Sequence, residues 1–311
     1  MMNLCRLGLK IKGVIMTPLF ILLLSSPFTL YAQNEKEDIY VDYDELLGNV
    51  LKNLKAAQLK TTFMSSAELR KQTLTLPFDA KADIPSLDKP GTREMTGPQI
   101  VKTRKNGVLM VCKYFKASEG QREKIQLHAT ATAITADGMC VSNWHVFMNF
   151  IQADATLPVN DSITFLVNLK GEVFPIEKVL AYNEMADAAV FKINTGKVRL
   201  STIPLGTELG VGETVHTLTN PNEYLYYYSK GVVARNTAQH KIGPMGDRME
   251  ITADYAKGSS GGPILDDRGN MAGMVSTTHS IYAQERPQGN LQMVIKTTIP
   301  VRSLRRLIQS K

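Results

Sequence analysis

Three short segments carry side chains that can do chemistry together. Ser260 lies in Gly258-Ser259-Ser260-Gly261-Gly262-Pro263. Glycines on both sides of a serine let the backbone bend tightly and approach a ligand closely. Such a bend can aim the N–H groups of Gly258 and Ser260 at one point, where two donors stabilise the oxyanion of a tetrahedral intermediate. Val141-Ser142-Asn143-Trp144-His145-Val146 ends a β-type run on an imidazole, the side chain suited to proton transfer near neutral pH. Asp187 opens the apolar run Ala188-Ala189-Val190-Phe191-Lys192-Ile193. Each segment alone has a plain structural explanation: a Gly/Ser loop, a structural histidine, a strand-start acid. Together, a hydroxyl, a base and an acid form the set for nucleophilic acyl transfer. His128, His216, His240 and His279 read as structural.

The elements that must position these groups are short and β-type. From about residue 99 they run over 108–115, 128–135, 139–143, 163–167, 173–180 and 188–193. After Pro204 come 214–218, 224–233, 249–253, 271–276 and 291–299. Roughly a dozen such runs, separated by Gly, Asn and Asp turns, argue for an all-β sandwich or barrel. No helix follows Ser260. Pro263-Ile264-Leu265 and a turn over 266–270 lead into another strand, which disfavours an α/β-hydrolase and with it a carboxylesterase. At the end of the chain Val301, Leu304, Leu307 and Ile308 share one face and Arg302, Arg305 and Arg306 the other, which predicts a short terminal helix. Residues 33–98 read as an N-terminal arm. In it Leu46, Leu47, Val50, Leu51, Leu54 and Leu59 recur at the spacing of one amphipathic helix, and Pro77, Pro85, Pro90, Gly91 and Pro98 punctuate the rest. Packing on the domain, self-association and a solvated leader are all open for this arm.

Composition excludes other classes. At 311 residues, with 43% hydrophobic and 21% charged side chains, the chain can bury a core without disulfides. The formal charge of +7 owes three units to Arg6, Lys10 and Lys12. The remaining excess is too small and dispersed to argue for a nucleic-acid partner. Cys112 and Cys140 fit neither a zinc site nor a redox pair, so no metal or cofactor is implied; one disulfide and two separate buried thiols both remain open. The basic start, the apolar run Val14–Leu24 and the small residues before Ala32 predict a secretory signal over 1–32, with an uncleaved anchor as the rival. Either way the rest of the chain is expected outside the cytoplasm, periplasmic or extracellular, with no stable membrane association if the signal is cut.

The order His145, Asp187, Ser260 matches the chymotrypsin type of triad. The stretch from about 99 to 309 resembles the trypsin-like serine peptidases, in particular their bacterial branch of HtrA-type and glutamyl endopeptidases. Thr130–Val146 is similar to that branch's strand, turn and Thr/Ser-x-x-His-Val segment. Thr219-Asn220-Pro221 with Gly231-Val232-Val233 is similar to its Gly-x-Pro and following strand, and Gly273-Met274-Val275-Ser276 to the strand beside bound substrate. The resemblance implies two antiparallel six-stranded barrels with the triad between them, the arm and the short C-terminal helix flanking a peptidase domain over 99–311. It implies a serine endopeptidase acting on a peptide or protein: Ser260 as nucleophile, His145 as base, Asp187 as its orienter. It further implies an oxyanion hole of the Gly258 and Ser260 N–H groups and a substrate strand on Ser276, Thr277 and Thr278. A silent protease-fold binding or chaperone-like protein is the alternative. The oligomeric state is open.

Three departures matter. Ser259 stands where digestive members carry an aspartate that pairs with a newly cut N-terminus, so activity is expected without such insertion. The 51 residues after Ser260 suffice for the last strands and helix, but not for a peptide-binding PDZ domain as well. Asp254, six residues before Ser260, occupies the offset of a Lys/Arg-selecting pocket acid, unless Tyr255 or Lys257 shifts the register; Thr278 narrows the pocket.

Overall fold

Residues 40–310, apart from 78, 119, 121, 153–155, 157, 161 and 285, are described by a computed structural model. The expected signal segment lies outside the described residues. The arm begins with α1 (Tyr43–Gln58), whose N-cap Asp42 side chain accepts from the Glu45 N–H. Val50 and Leu54 are buried on its inner face, but the helix stops at Gln58 and leaves Leu59 exposed at the C-cap rather than in the apolar stripe. Two further helices were not legible as apolar stripes. They are α2 (Ser66–Thr73), closed by a reciprocal Ser65/Glu68 capping box, and α3 (Gly97–Arg104), which starts with a Thr96/Gln99 box and a proline in its first turn. Between them lies β1 (Ala82–Ile84).

Two closed six-stranded antiparallel barrels follow, as the resemblance implies. The first contains β2 (Val108–Phe115), β3 (Lys124–Ala133), β4 (Met139–Ser142), β5 (Ser162–Val167), β6 (Val173–Asn183) and β7 (Ala188–Ile193), in the order β2-β3-β4-β7-β6-β5. The second contains β8 (Thr214–Thr219), β9 (Tyr227–Thr237), β10 (Arg248–Ile251), β11 (Pro263–Leu265), β12 (Met271–Gln284) and β13 (Gly289–Pro300), in the order β10-β13-β12-β11-β8-β9. The run Val108–Cys112 is apolar without alternation because both its faces are covered. Leu109 and Val111 join the first barrel's interior, whereas Val108, Met110 and Cys112 join a second cluster that includes Val50 and Leu54 of α1. The arm thus packs onto the outside of the first barrel, and Asp42–Lys311 form one compact unit. Cys112 and Cys140 sit in different clusters as free, buried thiols. Burial pushes the Cys112 thiol up to about 12 and the Cys140 thiol up as well.

The C-terminal helix α4 (Val301–Arg306) stops two residues short of the pattern that runs to Ile308. Ile308 instead enters β14 (Ile308–Ser310), which pairs in parallel with β1. The Leu307 carbonyl accepts from the Ala82 N–H at 2.8 Å, so the arm offers those backbone groups a partner that a longer helix would forgo. No helix among the described residues is long and apolar enough to cross a membrane.

Candidate active site

His145 opens a single 3₁₀ turn (His145–Phe147) just after β4, and Asp187 ends the turn between β6 and β7. Asp187 is held at φ +53°, a left-handed conformation that aspartate tolerates better than most residues, with its N–H bonded to the Glu184 carbonyl at 2.9 Å. Both segments belong to the first barrel. Ser260 lies on the approach to β11 of the second. The Ser260 hydroxyl is 3.0 Å from His145 Nε2, and His145 Nδ1 is 2.9 Å from both carboxylate oxygens of Asp187. The three side chains that lie far apart in the chain therefore form one hydrogen-bonded row.

Asp187 has further donors. The His145 backbone N–H reaches Oδ1 at 3.1 Å; Asn143 Nδ2 and Ser276 Oγ reach Oδ2 at 2.9 and 2.6 Å. The Asp187 side chain is only 14% exposed, so these donors hold a carboxylate that water barely reaches. Sequence reasoning missed both side chains in this role. Asn143 stood in the quoted histidine segment without a role, and Ser276 was expected to contribute backbone alone. Ser276 is displaced by a bulge in β12: Val275 pairs with Thr298 and Thr277 with Thr297, leaving Ser276 unmatched. A bulge re-aims its residue, and here the hydroxyl turns to Asp187 while the Ser276 carbonyl accepts from Ser260 Oγ at 3.5 Å.

The first barrel fixes the nucleophile's loop. The Thr130 N–H donates to the Ser260 carbonyl at 2.9 Å, its hydroxyl to the Gly258 carbonyl at 2.9 Å, and the Thr132 hydroxyl to the Gly261 carbonyl at 3.0 Å. Gly258 adopts φ +95° and Gly261 φ +86°; a Cβ on Gly261 would lie 2.1 Å from Ser142 Oγ and from the Thr130 carbonyl. With the carbonyls of 258, 260 and 261 taken, the N–H groups of Gly258 and Ser260 have no acceptor among the described residues. Ser259 is buried against the Thr219 hydroxyl at 3.0 Å, an uncharged contact in the place where an ion pair would stand.

The remaining expected site residues are placed differently. Thr277 and Thr278 are exposed on β12 next to Ser276. Asp254 is not a buried pocket acid: its side chain is 74% exposed and its carboxylate pairs with Lys296 Nζ at 2.8 Å. Its neighbour Tyr255 is the buried one, packed in the second barrel's core with its hydroxyl 2.9 and 2.8 Å from the carbonyls of Thr277 and Thr297. Two of the set-aside histidines are also placed. His216 is buried between Tyr228 Oη and Asp267 Oδ1, both at 2.9 Å. His128 is the unmatched residue of a bulge in β3, and burial plus repulsion from Lys113 push its imidazolium down to about 4. Among the described residues no cluster of His, Cys, Asp and Glu side chains is built to hold a metal ion.

Residues 129–274, which contain all three members of the row, match the family model of the trypsin-like peptidase domain. This stretch is similar to a trypsin-like peptidase domain. Over 149 residues, 46% of this chain and 31% of the relative, the sequence is 29% identical to "Protease Do-like 1, chloroplastic" of Arabidopsis thaliana. Over 169 residues, 52% of either chain, it is 29% identical to "Protease Do-like 5, chloroplastic" of the same plant. "Serine endoprotease DegS" of Haemophilus influenzae is 24% identical over 203 residues, 63% of this chain and 55% of the relative. The chain thus spans between about a third and about half of these curated relatives' lengths. The matched peptidase domain ends before Ser276, so neither the Asp187 donor on β12 nor the strand beyond it belongs to the matched region.

Proposed function

We propose that this protein is an exported serine endopeptidase that hydrolyses peptide bonds through an acyl-enzyme. The observation that carries the reading is the row Ser260 Oγ, His145 and Asp187, with 3.0 Å between hydroxyl and imidazole and 2.9 Å between imidazole and carboxylate. Ser260 attacks the scissile carbonyl while His145 Nε2 takes its proton. The C–N bond then breaks as the imidazolium returns that proton to the leaving amine, and water repeats the sequence on the ester. Asp187 keeps the proton of the imidazole on Nδ1 and stabilises the imidazolium. The unused N–H groups of Gly258 and Ser260 receive the oxyanion. Export rests on the apolar segment at the start of the sequence, and the names of the similar proteins, periplasmic or chloroplastic, are in keeping with a compartment outside the cytosol.

Selectivity for a basic residue at the scissile bond is not part of this reading, because Lys296 already neutralises Asp254. Labelling of purified residues 33–311 with a fluorophosphonate, beside Ser260→Ala, tests the mechanism. Labelling confined to the parent, together with cleavage of an unstructured peptide at rates rising from pH 5.5 to 8, is the expected result. Folded parent protein that neither labels nor cleaves would refute it.

A further inference from the structure

The loop that follows β8 is strained and lies against the loop of the nucleophile. Between Asn220 and Tyr226 three residues hold a left-handed backbone: Asn222 at φ +45°, Glu223 at φ +71° and Tyr226 at φ +55°. Asparagine tolerates that region, but glutamate and tyrosine hold it only where their surroundings impose it. The Asn222 N–H donates to the Lys257 carbonyl at 2.6 Å. A Cβ on Gly258 would lie 2.6 Å from the Asn220 carbonyl oxygen and 3.0 Å from the Asn222 nitrogen, so the two loops touch along their backbones. In a trans peptide the carbonyl and the N–H point opposite ways. With the Lys257 carbonyl turned to Asn222, the Gly258 N–H must point away from that loop, where it has no acceptor among the described residues.

Two contacts impose the strained shape. The Tyr226 N–H donates to Asn220 Oδ1 at 2.9 Å, and Asn220 in turn gives its own N–H and its Nδ2 to the Thr130 hydroxyl oxygen, both at 3.2 Å. That hydroxyl is the one that holds the Gly258 carbonyl. The second contact comes from the arm. The Tyr226 ring stacks on Tyr43 at the start of α1, with centroids 5.9 Å apart and planes 29° apart. Tyr226 is 6% exposed, and its hydroxyl has no hydrogen-bond partner among the described residues, so its ring and not its polar end is what the surroundings hold. Tyr43 lies outside the stretch 129–274 that matches the peptidase family.

We propose that Tyr43 is a positioning residue for the oxyanion hole: by stacking on Tyr226 it holds the 220–226 loop against residues 257–258 and so keeps the Gly258 N–H turned toward the reacting carbonyl. The inference rests on the serine endopeptidase reading for what that N–H receives. It makes the arm an activating element rather than a lid. Without the stack, Glu223 and Tyr226 lose a support of their left-handed backbone, the Asn222 N–H draws back and the Lys257–Gly258 peptide is free to rotate. A rotated peptide presents a carbonyl where the oxyanion needs a donor. Binding of an uncharged ground-state carbonyl depends little on that donor, whereas the transition state depends on it strongly.

The test compares Tyr43→Ala, Tyr43→Phe and Val50→Ala with the parent, all as the full chain. Val50 is buried on the same helix and controls for weaker docking of α1. In Tyr43→Ala, kcat on an unstructured peptide and the rate of fluorophosphonate labelling should fall roughly tenfold, part of the hundred- to thousandfold that one oxyanion donor is worth. KM should stay within about twofold, and the Ki of a peptide boronate, whose tetrahedral adduct uses the hole, should rise as kcat falls. Tyr43→Phe keeps the ring and should restore the parent's values. Val50→Ala should lower the urea midpoint without changing kcat. Hydrogen exchange of the 220–226 segment, a readout that needs no hydrolysis, should quicken in Tyr43→Ala and not in Val50→Ala. A parent that labels while Tyr43→Ala keeps its kcat, or a loss shared equally by Val50→Ala, would overturn the proposal. A parent that does not label, with exchange quickened by Tyr43→Ala alone, would instead strike the hydrolytic reading and leave the positioning of the loop standing; unchanged exchange would overturn that as well.

Discussion

Ser276→Ala removes one of the three donors that, besides the imidazole, hold Asp187 in place. A hydrogen bond to a charged group contributes about 1.5–3 kcal/mol, and the 2.6 Å contact from Ser276 Oγ reaches a carboxylate that is 14% exposed. The His145 N–H and Asn143 Nδ2 remain, at 3.1 and 2.9 Å, and they keep the carboxylate against the imidazole. The lower end of the range therefore applies, about 1.5 kcal/mol, or roughly a tenfold loss of rate. Because the alanine keeps the Ser276 carbonyl that faces the substrate, the loss should fall on kcat and leave KM nearly unchanged. Steady-state kinetics on one unstructured peptide measure both, and urea unfolding shows whether the variant is as stable as the parent. Asn143→Ala should cost a similar factor, and the double variant more than the product of the two, since the pair shares Oδ2 and the second loss leaves that oxygen to the His145 imidazole alone. A kcat within twofold of the parent, or an effect confined to KM, would refute the view that Ser276 positions Asp187.

Two further predictions concern charge. Lys296→Gln frees the Asp254 carboxylate, and at 74% exposure a substrate guanidinium gains no more than about 1 kcal/mol from it. The Arg-to-Leu ratio of cleavage rates should rise about two- to fivefold, and an unchanged ratio would remove Asp254 from the path of the substrate. His128, held down at about 4 by burial, ionises near about 6.5 once unfolded, so the unfolded chain binds more protons between those pH values. The stabilisation from keeping it neutral is complete above about pH 6.5 and is lost as pH falls toward 4, about 2 kcal/mol after discounting its partial exposure. Urea unfolding at pH 7 and 4.5 should show that loss in the parent and a smaller one in His128→Gln; equal losses in both would contradict it.

The barrels were legible because their signal is local. Apolar runs ending at Gly, Asn and Asp turns mark strands one by one, and Leu109 and Val111 against Met110 and Cys112 show why a strand covered on both faces loses its alternation. Other elements were hidden for identifiable reasons. The α2 segment has only Leu69 as a buried aliphatic, so no apolar stripe announces it, although Ser65 and Glu68 spell a capping box that a search for helix starts would have found. The β1–β14 pair joins residues 82–84 to 308–310, and three-residue strands carry too little pattern to be recognised before their partner is known. The end of α4 followed from that pairing: Ile308 satisfies the helical face on paper, yet its backbone is claimed by the arm.

The site divides along the same line. His145, Asp187 and Ser260 stand in segments whose local character is visible, whereas the groups that make them a unit come from elsewhere in the chain. Ser276 lies 89 residues from Asp187 and reaches it because a bulge turns its hydroxyl inward; Lys296 cancels Asp254 from the adjacent β13. The bonds that fix the Ser260 loop run from Thr130 and Thr132 of the first barrel to Gly258, Ser260 and Gly261 at the edge of the second. The site is therefore a property of the contact between barrels, not of either barrel. A change that loosens their docking while leaving both cores intact should silence Ser260 before either barrel unfolds, because the imidazole and carboxylate stay with one barrel and the nucleophile with the other.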